Sequence, residues 1–178
     1  MKGQKSNLEK TRRYEMLVTA HSDWLYRYAY WISGSQHEAE DLVQETCLRA
    51  WRFLDSLQED AAAKSWLTTI LRRENARKYE RKRLTYTQVD VNVLADQQAE
   101  IDTRPETIAL RVALKELPPK YREPLILQVL GGFSLKEIAE AFNLPSNTTA
   151  TRLHRAKRKL RQQLEGSLCA PESISECG

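Results

Sequence analysis

FSLKEIAEAFNLPSNTTATRLHRAKRKLR, residues Phe133 to Arg161, reads as two short helices about a tight turn, the second heavily basic. Ser134 followed by Glu137 is a capping box, which marks a helix start. Leu135, Ile138, Ala139 and Phe142 then share one helical face. Pro145 disfavours the helical conformation at Leu144, so Asn143-Leu144-Pro145 ends the helix. Ser146 is placed to cap a second helix, with Leu153, Ala156, Leu160 and Leu164 as its buried stripe. This is the pattern of a helix-turn-helix, whose second helix enters the DNA major groove. From Arg152 to Arg161 there are six basic residues and no acid, a run that suits phosphates. A basic solvated helix on another kind of bundle is the alternative, but charge that follows a capped turn is more specific than charge alone.

The totals bound the rest. The chain has 178 residues, a net charge of +4, six Gly and six Pro. No stretch shows strand-like alternation, so an all-α protein is expected. No apolar run approaches the ~18 residues that span a bilayer, and the N-terminus has no apolar core of the kind a secretory signal carries. No membrane insertion is expected. Cys47, Cys169 and Cys177 are an odd number without metal-ligand spacing, which fits a reduced, cytoplasmic protein. Cys169 and Cys177 lie in a small, polar tail and read as inert thiols, with pairing on oxidation as the alternative. His21, His37 and His154 are isolated, so no metal and no cofactor is expected. Clustered catalytic carboxylates and an ATP motif are both lacking, which argues against an enzyme.

Two small helical domains joined by a flexible acidic linker account for the pattern. Residues 1–13 read as a flexible polar leader. Residues 14–83 form the first domain, with Ser22 as a cap between two helices at its start. Leu17, Trp24, Leu25, Tyr28, Ala29 and Ile32 are expected as core. Ser35 to Glu38 is a second capping box, opening a helix to about Leu57. One side of that helix is apolar, and the other carries Asp41, Gln44, Glu45, Arg49 and Arg52. Gln58 to Ala63, QEDAAA, is a loop. Lys64 to Arg83 is a third helix, and over residues 72–83 seven cations face two acids. Basic residues interleaved with Tyr79 and Tyr86 suit melted nucleic acid, where bases stack on side chains. Residues 84–104 are the acidic linker. Residues 105–165 are the second domain, with Pro118-Pro119 between two helices, Pro124 in a first turn, and Gly131-Gly132 as a stop. Residues 166–178 read as a disordered tail.

Three segments together resemble the extracytoplasmic-function (ECF, group 4) sigma factors of bacterial RNA polymerase, within the sigma-70 family. They are HEAEDLVQETCLRAWRFLDSL at 37–57, SWLTTILRRENARKYERKR at 65–83, and LKELPPKYREPLILQVLGGFSLKEIAEAFNLPSNTTATRLHRAKRKL at 114–160. The first is similar to region 2.2, the second to regions 2.3 and 2.4, and the third to region 4.

The resemblance implies roles. Asp41, Gln44, Glu45, Arg49 and Trp51 would dock on core RNA polymerase, where mixed charge on one helix face sets register on a charged coil. The loop 58–63 stands where the family forms a pocket for a base flipped from the −10 element of promoter DNA. Gln58, Lys64, Arg72, Arg73, Asn75, Arg77 and Lys78 would contact the −10 strand. Arg73 replaces a common Asn, and Asn75 follows two residues on. For the −35 element the matching stretch supplies Thr148, Ala150, Thr151, Arg152, His154, Arg155, Lys157 and Arg158. Arg152 is the leading base reader, because Arg addresses guanine bidentately. Lys157 and Arg158 are expected to hold phosphates. Asn147 and Ala150 depart from the family's usual Gly and basic residue. The linker 84–104 would lie in the polymerase cleft, and an anti-sigma factor is the implied regulator. A stand-alone helix-turn-helix regulator is the rival reading, which leaves the first domain without a task.

Overall fold

The structure is a computed structural model that describes the backbone over residues 2–85 and 105–168, and side chains over 7–81 and 108–165. The helices are α1 (Lys2–Ser33), α2 (Gln36–Phe53), α3 (Ala63–Thr85), α4 (Pro105–Glu116), α5 (Pro119–Val129), α6 (Leu135–Phe142) and α7 (Ser146–Leu168), with single 3₁₀ turns at Leu54–Ser56 and Asp60–Ala62. Among the described residues there is no strand. The all-α expectation holds. Two compact units are present, one holding α1 to α3 and the other α4, α5, α6 as far as Ala139, and α7.

In the first unit α1 packs on α2, and α2 on α3. The α1 stripe Leu17, Trp24, Leu25, Tyr28, Ala29 and Ile32 is buried, as its spacing predicts. Trp24 Nε1 donates to Thr68 Oγ1 at 3.0 Å, so the indole N–H keeps a partner inside the core. Gly34 takes φ +76° and donates its N–H to the Tyr30 carbonyl, which ends α1. Ser35 accepts from the Glu38 N–H and starts α2.

Several expectations need correction. Residues 2–13 are the opening turns of α1, not a flexible leader. Ser22 does not break that helix; its hydroxyl donates to the Thr19 carbonyl within it. Helix α2 stops at Phe53 and gives way to a 3₁₀ turn, because Leu54 and Leu57 are drawn into the core. The 58–63 segment is not all loop, since Asp60–Ala62 is a 3₁₀ turn leading into α3. Most of the expected linker lies outside the described residues, and its first two, Leu84 and Thr85, continue α3. Helix α7 runs on to Leu168, into the expected tail; residues 169–178 lie outside the described residues.

In the second unit α7 packs against α4 and α5. Helix α5 begins at Pro119 behind Pro118, and Pro124 sits inside it rather than in its first turn. Pro124 is buried there with Leu125, Ile126 and Leu127. After α5 the chain turns through Gly132 at φ +67° and buries Phe133. A methyl group at Gly131 would stand 2.5 Å from Phe133 Cδ2 and 2.6 Å from the Leu127 carbonyl oxygen. One of these is backbone, so ring and turn would both have to shift. Gly131→Ala is expected to destabilise the second unit by about 2 kcal/mol, the scale of an overpacked core. Gly132→Ala meets open space, and its left-handed backbone should cost about 1 kcal/mol. Calorimetry of both variants checks the order, and a larger loss at Gly132 would contradict it.

Candidate nucleic-acid and protein interfaces

Helix α6 and the turn into α7 are assembled from local signals. Ser134 N–H and Oγ–H donate to Glu137 Oε2 at 2.8 and 2.7 Å, and the Glu137 N–H donates to Ser134 Oγ at 3.3 Å. That closes the capping box of α6. At its other end Asn143 takes φ +50°. Leu144 N–H donates to the Ala139 carbonyl and Asn143 N–H to the Glu140 carbonyl, a Schellman arrangement. Asn is tolerated there because its short polar side chain suits the left-handed region. Ser146 is the first helical residue of α7, not its cap. The Pro145 carbonyl fills that place, accepting the Thr149 N–H at 3.0 Å.

Leu153 and Ala156 are buried as expected, and Thr149 joins them at 1% exposed. Its polarity hid it from the pattern; its hydroxyl donates to the Pro145 carbonyl at 3.2 Å. Leu160 and Leu164 are half-buried. Thr148, Ala150, Thr151, His154, Arg155, Lys157 and Arg158 are exposed, and Arg152 is half-buried. At 100° per residue, Thr151, His154, Arg155 and Arg158 lie opposite the buried stripe, while Arg152 sits on its flank. The Thr151 hydroxyl donates to the Asn147 carbonyl at 2.9 Å, leaving its oxygen as an acceptor. Tyr121 of α5 was not anticipated. Its phenol is hydrogen-bonded to Arg155, and this contact, against the opposing effect of burial and with the charges of Lys120, Arg155 and Lys159, holds its pKa below the usual value.

On the first unit, a groove of about 400 Å³ runs between α2 and α3. Asp41, Gln44, Glu45 and Leu48 line one side, and Glu74, Arg77, Lys78 and Arg81 the other. At its base the Glu74 side chain is 7% exposed, with Oε1 2.6 Å from Arg49 Nε and 2.7 Å from Arg77 Nη1. Arg49 also reaches Glu45 Oε1 at 3.3 Å, and Lys78 Nζ lies 3.7 Å from Asp41 Oδ2. Asp41, Gln44 and Glu45 thus share an exposed face. The Arg49 guanidinium joins α2 to α3. Trp51, half-buried, packs edge-on against Tyr14, with centroids 5.2 Å apart, beneath Lys10. Leu48 was missed and is 57% exposed; an apolar residue within the stripe from Asp41 to Arg52 was the available signal. Behind this face the Tyr14 hydroxyl donates to the Cys47 carbonyl at 3.0 Å. Burial pushes the Tyr14 phenol up to about 12 and raises the Cys47 thiol as well.

The expected −10 residues do not form one face. Gln58, Arg73 and Arg77 are exposed, while Lys64, Arg72 and Lys78 are half-buried. Arg77 and Lys78 turn toward the groove. Lys64 Nζ lies 4.9 Å from the centroid of the Trp24 ring. Asn75 is a correction: it follows Leu67 and Leu71 at four-residue spacing on the packing face of α3 and is 8% exposed. A buried amide is not presented to a strand. Among the described residues no cluster of metal-binding side chains occurs, and no helix is long and apolar enough to cross a membrane.

Comparison with known proteins follows the same division. Residues 17–85 match the family model Sigma-70 region 2, and residues 107–160 match Sigma-70, region 4. The chain is 34% identical to the ECF RNA polymerase sigma factor SigE of Mycolicibacterium smegmatis, over 85% of this chain and 61% of that protein. It is 30% identical to the ECF RNA polymerase sigma factor SigW of Bacillus subtilis, over 83% of this chain and 87% of that one. Among solved structures it resembles the sigma factor RpoE of Bartonella quintana in complex with the anti-sigma factor NepR. That likeness has a TM-score of 0.69 and 29% identity, and covers 93% of this chain and 98% of that chain.

The buried Glu74 gives a test of the groove. Arg49→Ala leaves its carboxylate with Arg77 alone and is expected to destabilise the first unit by about 2 kcal/mol, since breaking a buried pair strands a charge. Arg49→Ala with Glu74→Ala should cost less than the two single variants together. Urea unfolding of the three variants checks this, and simple additivity would mean that the pair carries no coupling.

Proposed function

The chain belongs to the ECF RNA polymerase sigma factors, and on that premise we propose that it binds core RNA polymerase and directs promoter-specific initiation. The observation that carries this reading is that the two matched segments, 17–85 and 107–160, fall on the two structural units apart from residues 140–143. The first unit supplies the polymerase contact through Asp41, Gln44, Glu45 and Leu48. An exposed leucine among charges fits an interface that takes affinity from apolar area and register from polar complementarity. The same unit holds the non-template −10 strand with Gln58, Lys64, Arg72, Arg73, Arg77 and Lys78, the 58–63 segment receiving a flipped base. The second unit grips −35 duplex through α7. Thr151, His154 and Arg155 address base edges, Arg152 the groove edge, and Lys157 and Arg158 the phosphates. Thr148 and Ala150 flank them.

The protein acts in the cytoplasm and is not an enzyme; strand opening draws on binding energy alone. An anti-sigma factor holds it inactive by covering these same faces, as support for which the related RpoE is bound to NepR.

Purified chain added to core polymerase should start RNA at a promoter that core alone ignores; failure with every promoter of a genomic library would overturn the reading. Gln44→Lys with Leu48→Glu should weaken binding to core at least tenfold, on the scale of about 1.4 kcal/mol per decade, while circular dichroism stays unchanged. Arg158→Ala should weaken promoter binding uniformly across sequences and reduce the salt slope by about 0.9. Arg155→Ala should instead relax base preference in the −35 element, as measured by selection from a randomised pool.

A further inference from the structure

Residues 10–14 carry contacts that the proposed function does not use. The Arg13 guanidinium reaches Asp60 Oδ1 through Nε at 2.9 Å and through Nη2 at 2.8 Å. The same Nη2 donates to the Leu57 carbonyl at 2.7 Å. One side chain of α1 therefore holds the segment at Leu57 and again at Asp60. Lys10 adds a contact to Asp55 Oδ2 at 2.6 Å, in the preceding 3₁₀ turn. Arg13 does not swing freely, because its neighbour Tyr14 fixes α1 on α2 through the Cys47 carbonyl and the Trp51 ring. Between the two anchor points, Gln58, Glu59 and Asp60 are exposed and Leu57 is buried. Buried Leu57 and Ala63 hold the two ends in the core with Leu17 and Leu54, while the exposed residues between them lack such packing, so side-chain tethers order that stretch. Arg13 also precedes residues 17–85, the stretch that matches Sigma-70 region 2.

We propose that Arg13 is a positioning residue that holds segment 57–62 from α1, at the Leu57 carbonyl and the Asp60 carboxylate, in the shape that receives a flipped promoter base. This rests on the reading of segment 58–63 as the base pocket. A fork of guanidinium nitrogens suits the task, because it binds a carboxylate and a carbonyl in fixed directions where an ammonium could not. Arg13 touches no DNA itself. Its effect is on which base is accepted, more than on how much RNA is made.

The test uses the full chain and two readouts. Glu59 is exposed, so a glutamate-specific protease reports the order of the segment. Arg13→Ala should raise cleavage after Glu59 about fivefold, and Asp60→Asn about twofold, the range that loss of a tethered surface pair and a carbonyl contact allows. Holoenzyme is then assembled with core polymerase and offered promoter duplexes whose non-template −10 stretch is unpaired and randomised. Arg13→Ala should lower the preference for the most selected base about fivefold, with total initiation and core affinity within about twofold of wild type. Unchanged cleavage in both variants would overturn the tether. Faster cleavage with base preference intact would overturn the positioning role, and with it the placing of base reading in this segment.

Discussion

A carboxylate 7% exposed between two helices is a severe constraint. Left unpaired, the Glu74 charge would carry a desolvation penalty of several kcal/mol. Arg49 from α2 and Arg77 one turn along α3 both reach Oε1. The pair therefore fixes the rotation of α3 against α2, since a shift of one residue swings a helical side chain by about 100°. With that rotation fixed, everything else on the two helices follows. Leu67 and Leu71 face the core, and Asn75 goes with them. Gln44, Glu45 and Leu48 are left at the lip of the groove. The outward chemistry of the first unit is set by what its interior had to neutralise.

Legibility from sequence tracks the range of the interactions. The caps at Ser35 and Ser134, each accepting from the N–H of a glutamate three residues on, are local and were readable outright. So were Leu153 and Ala156, because helical periodicity alone buries them. Thr149 was not, since a hydroxyl reads as polar until its bond to the Pro145 carbonyl is seen. The opening of α1 failed for the opposite reason. Lys10 and Arg13 look like a solvated leader, and the partners that give them work, Asp55 and Asp60, lie more than forty residues away. Pro124 was placed in a first turn because Pro118-Pro119 looked like a break; Pro119 instead begins the helix, where a missing N–H costs little.

Counting charge describes the surface of one helix better than that of the other. On α7 there is no acid before Glu165, so its cations remain available to a phosphate backbone. On α3 the excess over residues 72–83 overstated the surface. Arg77 is paired with Glu74 and Lys78 with Asp41, so both are turned toward α2. What the sequence could not convey is which cations have an intramolecular acid within reach, and that depends on the helix rotation that Glu74 sets.

Salt separates these constraints. The Glu74 carboxylate is buried and its pairing with Arg49 little screened, so the groove between α2 and α3 keeps its form across ionic strengths. The tethers at Asp55 and Asp60 are different. Asp55 is 78% exposed and Asp60 53%, and pairs of that kind weaken as the Debye length shrinks to about 8 Å in physiological salt. The phosphate contacts proposed for α7 would weaken over the same range, through counterion release. On the proposed function, rising salt would therefore loosen the grip on duplex and the shape of segment 57–62 together, while leaving the face around Leu48 formed. Arg13 limits that loss through the Leu57 carbonyl, a neutral acceptor whose hydrogen bond does not depend on a second charge. A tether with one ionic and one neutral anchor keeps the segment partly ordered under conditions where an ion pair alone would not.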